Sequence, residues 1–159
     1  MNRKPIVTAL LLCVILCIPL FSQSQDFQIE GTVLVQYRGN AENVTIPESV
    51  TAIGTLAFFL CVSLTNITIP TSVTYIGRVA FYGCSGLTTI TIPSSVVTIK
   101  DNAFYNCNNL TSITIPASVT SIGDYAFSGC NNLKTVTVSR KTAIGNNAFP
   151  AQARITYSD

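Results

Sequence analysis

The residues with the most chemical potential in this 159-residue chain are four cysteines, Cys61, Cys84, Cys107 and Cys130, spaced 23 residues apart. Thiols at a fixed interval could pair as disulfides, hold a soft metal or supply a thiolate nucleophile. The partners for those reactions are missing. The chain has no His, which removes the commonest general base and metal ligand, and with it Ser-His-Asp, Cys-His and His-zinc sites. No C-x-x-C pair offers metal-ligand spacing. In-register neighbours could meet the Cα separation of a disulfide, but parallel Cβ vectors give a poor geometry. The four thiols therefore read as a buried column of small hydrophobes. Asp101 and Asp124 also repeat, with Arg78 and Thr55 at the same position in other copies, so they are turn residues rather than an acid/base dyad. No cofactor and no metal is implied, and the expectation is a protein without enzymatic activity.

The elements that carry these residues come from the same repeat. Ile46-Pro47, Ile69-Pro70, Ile92-Pro93 and Ile115-Pro116 keep the 23-residue step, as do Leu64, Leu87, Leu110 and Leu133. So do Ala57-Phe58, Ala80-Phe81, Ala103-Phe104 and Ala126-Phe127. Each copy reads C-x-x-L-x-x-I-x-I-P-x-x-V-x-x-I-x-x-x-A-F. The I-x-I stretch alternates with period two and is rich in β-branched residues, so it is a short strand, ended by the proline that follows. Val and Ile three apart, then Ala-Phe, bring the chain round the far side, where Gly54, Gly77, Gly123 and Gly145 mark a turn. One copy cannot bury its apolar face alone, but stacked copies can, with the I-x-I strands side by side in a parallel sheet.

The pattern C-x-x-L-x-x-I-x-I resembles the leucine-rich repeat, and Leu110–Cys130 is similar to the 23-residue BspA-like bacterial subfamily. The resemblance covers residues 41–149. It implies a mainly β solenoid with short strands on the concave side. It also implies a surface or secreted protein, since several members mediate adhesion to host proteins or to other bacteria.

Both ends of such a stack need caps. Phe27-Gln28-Ile29 and Thr32–Tyr37 alternate around Glu30-Gly31, which predicts an N-terminal β-hairpin over residues 25–40 ahead of repeats at 41–138. In residues 139–159 one residue is missing, so Ile144 and Ala148-Phe149 arrive 22 positions after their equivalents. Ile155-Thr156-Tyr157 can then add a last strand. Ahead of the repeats, Arg3 and Lys4 precede an apolar run from Ile6 to Phe21 that is short for a membrane span and right for a signal-peptide core, with cleavage expected after Ser24. The expectation is an exported protein, secreted, on the cell surface or periplasmic, without a transmembrane span after cleavage.

The remaining residues from Gln25 on carry seven basic and seven acidic side chains, net zero, so nucleic acid is not an expected partner. The expected partner is a protein, either a host matrix or surface protein or a second copy. Two surfaces are candidates. The outward strand residues Asn66, Thr68, Thr89, Thr91, Ser112, Thr114, Thr135 and Thr137 form a neutral, hydroxyl-lined face; Thr suits a strand on propensity alone, but solenoids also bind partners across such a sheet. The second is Leu56, Phe59, Leu60 and Val62, which are more apolar than their equivalents, continued by Tyr82 and Tyr105. This patch is either an interface or the seat of the N-terminal hairpin.

Overall fold

A computed structural model of the chain describes residues 26–158. The expected signal segment, residues 1–24, lies outside the described residues. The chain winds into a β-solenoid of three-sided turns.

The N-terminal hairpin pairs β1 (Phe27–Glu30) with β2 (Val33–Tyr37) antiparallel, from Phe27 opposite Tyr37 to Glu30 opposite Val33. Gly31 makes the turn at φ +63°, a left-handed conformation that costs glycine little. β2 then pairs in parallel with β4 (Ala52–Ile53), and the ladder continues through β6 (Tyr75–Ile76), β7 (Thr98–Ile99), β9 (Ser121–Ile122) and β11 (Ala143–Ile144). The result is an unbroken seven-stranded sheet on the V-x-x-I side, where the repeat pattern alone suggested only a return path.

The I-x-I side behaves differently. β3 (Asn43–Thr45) pairs with β5 (Asn66–Thr68), and separately β8 (Ser112–Thr114), β10 (Thr135–Ser139) and β12 (Arg154–Ser158) form a three-stranded ladder. Thr89-Ile90-Thr91, between them, forms no strand. The expected single sheet is therefore two sheets with one open turn.

The third side carries Ala-Phe. Its turns are tied by Phe58 N–H to Ala80 O, Phe81 N–H to Ala103 O and Phe104 N–H to Ala126 O, each 2.7 Å. Phe58, Phe81, Phe104, Phe127 and Phe149 stack with centroids 4.9–5.3 Å apart, the rung spacing of a sheet. With Leu64, Leu87, Leu110 and Leu133 and the inward isoleucines they form one continuous core. Gly77 marks a close approach rather than a special φ: a β-carbon there would stand 2.7 Å from the carbonyl carbon of Gly54 in the turn before.

Candidate functional site

On the I-x-I side the three-residue strands β3, β5 and β8 alternate. Ile67 and Ile113 point into the core, and Asn66, Thr68, Ser112 and Thr114 point to solvent. Thr89, Thr91 and Thr135 are exposed as well, and Thr137 is half-buried beside β12. Register places these residues in two rows, Ser112–Thr135–Arg154 and Thr114–Thr137–Thr156.

The rows are interrupted at one turn. Thr88 is the last link before it, its amide donating to Thr65 O at 3.2 Å and its hydroxyl to the same oxygen at 3.3 Å. No backbone hydrogen bond joins Thr89, Ile90 or Thr91 to either neighbouring turn. A cleft of about 240 Å3 opens there, lined by Thr89, Thr91, Ile92, Ser112, Thr114 and Pro116. This face thus offers what a strand interior normally hides, amide donors and carbonyl acceptors, beside neutral hydroxyls. It can hold a polar partner by hydrogen bonds.

The buried cysteines pack instead against the Ala-Phe side. All four thiols are free; Cys84, Cys107 and Cys130 are buried, whereas Cys61 is half-buried. Each buried thiol donates to a phenylalanine carbonyl of the preceding turn: Cys84 to Phe58 O at 3.1 Å, Cys107 to Phe81 O at 3.2 Å and Cys130 to Phe104 O at 3.1 Å. Burial pushes the Cys84 thiol up to about 12, so it is protonated at neutral pH and inert as a nucleophile. Asp101 and Asp124 are capping groups. Asp101 accepts the amide of Asp124 at 3.1 Å, and Asp124 accepts the amide of Asn146 at 2.6 Å, one turn holding the next.

The apolar patch is not the seat of the hairpin. β2 pairs with β4 on another side, leaving Leu56, Phe59, Leu60 and Val62 between 45% and 56% exposed. Tyr82 and Tyr105 are half-buried and stack in line with Phe59, at 5.4 and then 5.1 Å. Two of the patch residues also hold the left-handed conformation, Leu56 at φ 63° and Leu60 at φ 56°. In the other turns the position of Leu60 is Gly83, Asn106 or Gly129, residues suited to that conformation. The Leu60 side chain lies over Gly83, where a β-carbon would stand 2.5 Å from its Cδ2. A Gly/Asn/Gly column was the sequence signal for the left-handed requirement, and Leu60 is its exception. Beside the patch a cleft of about 260 Å3 runs between Arg38–Ala41 and Phe59–Leu64.

Similarity to known proteins agrees with this geometry. The leucine-rich repeat protein TpLRR of T. pallidum is 32% identical over 84% of this chain and 68% of its own, with a TM-score of 0.79. A leucine-rich cell surface protein of Faecalibacterium prausnitzii is 32% identical over 80% of this chain, with a TM-score of 0.75. A leucine-rich repeat protein of Bacteroides ovatus is 28% identical over 74% of this chain, with a TM-score of 0.67. This chain spans 35% and 30% of the lengths of those last two. No match is found among curated proteins. The model of the BspA-type leucine-rich repeat region matches residues 34–156 in six copies, and with three solved repeat proteins superposing on the same solenoid, the chain belongs to the BspA-type leucine-rich repeat family.

Proposed function

We propose that this protein is an exported, adhesin-type binding module that holds a protein partner across its I-x-I face. Membership of a leucine-rich repeat family makes it a protein-interaction repeat module. The observation that carries the choice of face is the open turn at Thr89–Thr91, where unpaired backbone and the hydroxyls of Thr89, Thr91, Ser112 and Thr114 line one cleft. Export is supported by the basic and apolar N-terminal segment, and a surface location by the cell surface protein of F. prausnitzii. Among the described residues no helix is long and apolar enough to cross a membrane.

The test is a solid-phase screen of the purified protein against extracellular-matrix, serum and cell-surface proteins, with Thr91→Lys plus Thr114→Lys alongside. A saturable partner lost in the double variant is the expected result. Affinity unchanged by the two lysines would remove this face from the function, and silence across the panel would remove the adhesin reading.

A second reading rests on the exposed Leu56, Phe59, Leu60 and Val62, an apolar group of the kind that marks protein interfaces. Under it the protein is an envelope component that self-associates. Light scattering would then report an oligomer that becomes monomeric on Phe59→Ser plus Leu60→Asn; a monomer in both forms sinks it.

A further inference from the structure

Rungs on the I-x-I side are joined in a fixed pattern. Ile46 N–H donates to Thr68 O at 3.1 Å, and Ile115 N–H to Thr137 O at 2.8 Å. The same register would join Ile92 N–H to Thr114 O, and among the described residues that bond is absent. The corner bond beyond it is absent too. Ser72 donates to Val50 O and Ser95 to Val73 O, but the equivalent Ser118 Oγ is buried without a partner. On the other two sides the same pair of turns stays tied, by Gly83 N–H to Tyr105 O at 2.8 Å and Thr120 N–H to Val97 O at 2.9 Å. The opening is therefore a seam between two turns, confined to one side. The cleft lined by Thr89, Thr91, Ile92, Ser112, Thr114 and Pro116 lies along it.

We infer that this seam is a subsite for a primary carboxamide, the side chain of an asparagine or glutamine on the partner protein. The inference rests on the I-x-I face being the binding face, and names what that face selects. Across the seam Ile92 offers a donor and Thr114 an acceptor, opposite each other in register. A carboxamide oxygen accepts from Ile92 N–H while its N–H donates to Thr114 O, so both groups are satisfied at once. A carboxylate only accepts and an ammonium only donates, so either leaves one backbone group unmet at the cost of its desolvation. A hydroxyl offers both roles through a single atom, the carboxamide through two, which suits groups on opposite sides of a seam.

Charge gives the same answer. The positions around the cleft, Thr65, Asn66, Thr68, Thr88 and Thr111, are neutral. The nearest charges in their columns are Glu42 towards one end of the stack and Lys134 and Arg154 towards the other. Nothing beside the seam would compensate an ion brought into it. A whole strand does not fit, because Ile90 and Ile113 are 8% and 3% exposed and both rungs keep their places over the core. The gap admits a side chain.

The probes are acetyl-Thr-Xaa-Thr-N-methylamide peptides, whose caps carry no primary amide, with Gln, Glu, Lys or Met at Xaa. Titrated into the isotope-labelled protein and followed by NMR, the glutamine peptide should give saturable shifts centred on Ile90–Ile92 and Ser112–Thr114. The other three should bind about fivefold or more weakly. Thr114→Lys puts a cation at the seam and should make the glutamate peptide the better ligand, a gain that a misfolded variant could not show. Thr91→Val plus Thr114→Val removes two hydroxyls and keeps the backbone pair, so the glutamine preference should persist. Equal binding of the four peptides, shifts centred elsewhere, no shift at millimolar peptide, or a Thr114→Lys protein that still prefers glutamine overturns the proposal. A neutral glucose oligosaccharide that shifts the seam when the glutamine peptide does not also overturns it, by making the ligand a glycan. A protein partner lost in Thr91→Lys plus Thr114→Lys, with peptides that fail, keeps the face and removes the carboxamide. Peptides that bind, with no partner found on the protein panel, keep the carboxamide subsite and remove the adhesin.

Discussion

Two sheets run through the same turns of this solenoid, and only one of them is continuous. On the V-x-x-I side seven strands pair without a break, most of them two residues long. On the I-x-I side the strands are longer and more β-branched, yet the ladder is open at Thr89–Thr91. Strand propensity therefore does not decide which face is continuous. The short strands are held because each turn there is drawn close to the next, as at Gly77 against Gly54, and because the hairpin supplies the first rungs. The face with the better strand residues keeps free hydrogen-bonding capacity, and it is the face we assign to binding. A stack that is rigid on one side can leave the other unsatisfied.

The largest test of that contrast uses two isoleucines of one turn. Ile99 is fully buried in β7, while Ile90 is 8% exposed in the open turn. Truncation of a buried isoleucine costs about 2–5 kcal/mol depending on how far the site collapses. We expect Ile99→Ala near the upper end and Ile90→Ala near the lower, read from urea unfolding midpoints at unchanged slope. Equal losses would mean that the open turn is as tightly held as the closed sheet. Hydrogen exchange sharpens the point: the amides of Thr89–Thr91 should exchange well before those of the strand residues Ile76 and Ile99.

The interior shared by both faces gives the next effect. Burial beneath Phe58 O pushes the Cys84 thiol up from its ordinary value to about 12. Its folded pKa is raised, so its contribution is fully present below pH 9.0 and is lost as pH rises through the window to about 12. The loss at the alkaline limit is on the order of a few kcal/mol. Thermal unfolding followed from pH 8 upward should show this fall, and Cys84→Ala, although less stable at neutral pH, should show a shallower one. An identical slope in both proteins would remove the buried thiol as its cause.

A smaller and opposite change is expected on the third side. Val79 holds φ 59°, a conformation that is costly for a β-branched residue, whereas Asn102 holds φ 55° at the same position one turn on. Val79→Asn should stabilise the protein by about 1 kcal/mol, a raised melting temperature being the readout. A lower melting temperature would show that Val79 contributes more by packing than it costs in backbone strain.

The parts of this structure that the sequence made legible are those where stacking imposes one demand on every turn. The Phe58, Cys84 and Leu87 columns recur because each must fill the same interior volume, and the hairpin was readable from its alternation around Gly31. The seven-stranded sheet was not, because a two-residue strand such as Tyr75–Ile76 is too short to show period two. The open turn was hidden for the opposite reason: Thr89-Ile90-Thr91 keeps the polar-Ile-Thr pattern of the paired rungs Asn66–Thr68 and Ser112–Thr114, and no side chain there accounts for the gap. The left-handed position at Leu56, Val79, Asn102 and Tyr125 carries no common residue type, so nothing in the column announced its backbone. On the candidate face the outward set was legible by alternation, but the half-burial of Thr137 depends on β12, a neighbour from outside the repeat.

The smallest effect lies at the corner that joins the two faces. Ser72 donates to Val50 O and Ser95 to Val73 O, each at 2.6 Å, clipping a turn to the one before it. Ser118 is their equivalent, but its hydroxyl oxygen is buried with no hydrogen-bond partner. Removing a made hydrogen bond costs about 1 kcal/mol, whereas removing an unpaired buried hydroxyl relieves a desolvation penalty. Ser95→Ala should therefore lower stability by about 1 kcal/mol and Ser118→Ala should leave it unchanged or raise it. The pair is informative because Ser118 follows β8, the first closed rung after the open turn. If Ser118→Ala proves as costly as Ser95→Ala, the corner after β8 is clipped like the others, and the irregularity is confined to Thr89–Thr91. A neutral Ser118→Ala would extend it from the face into the corner.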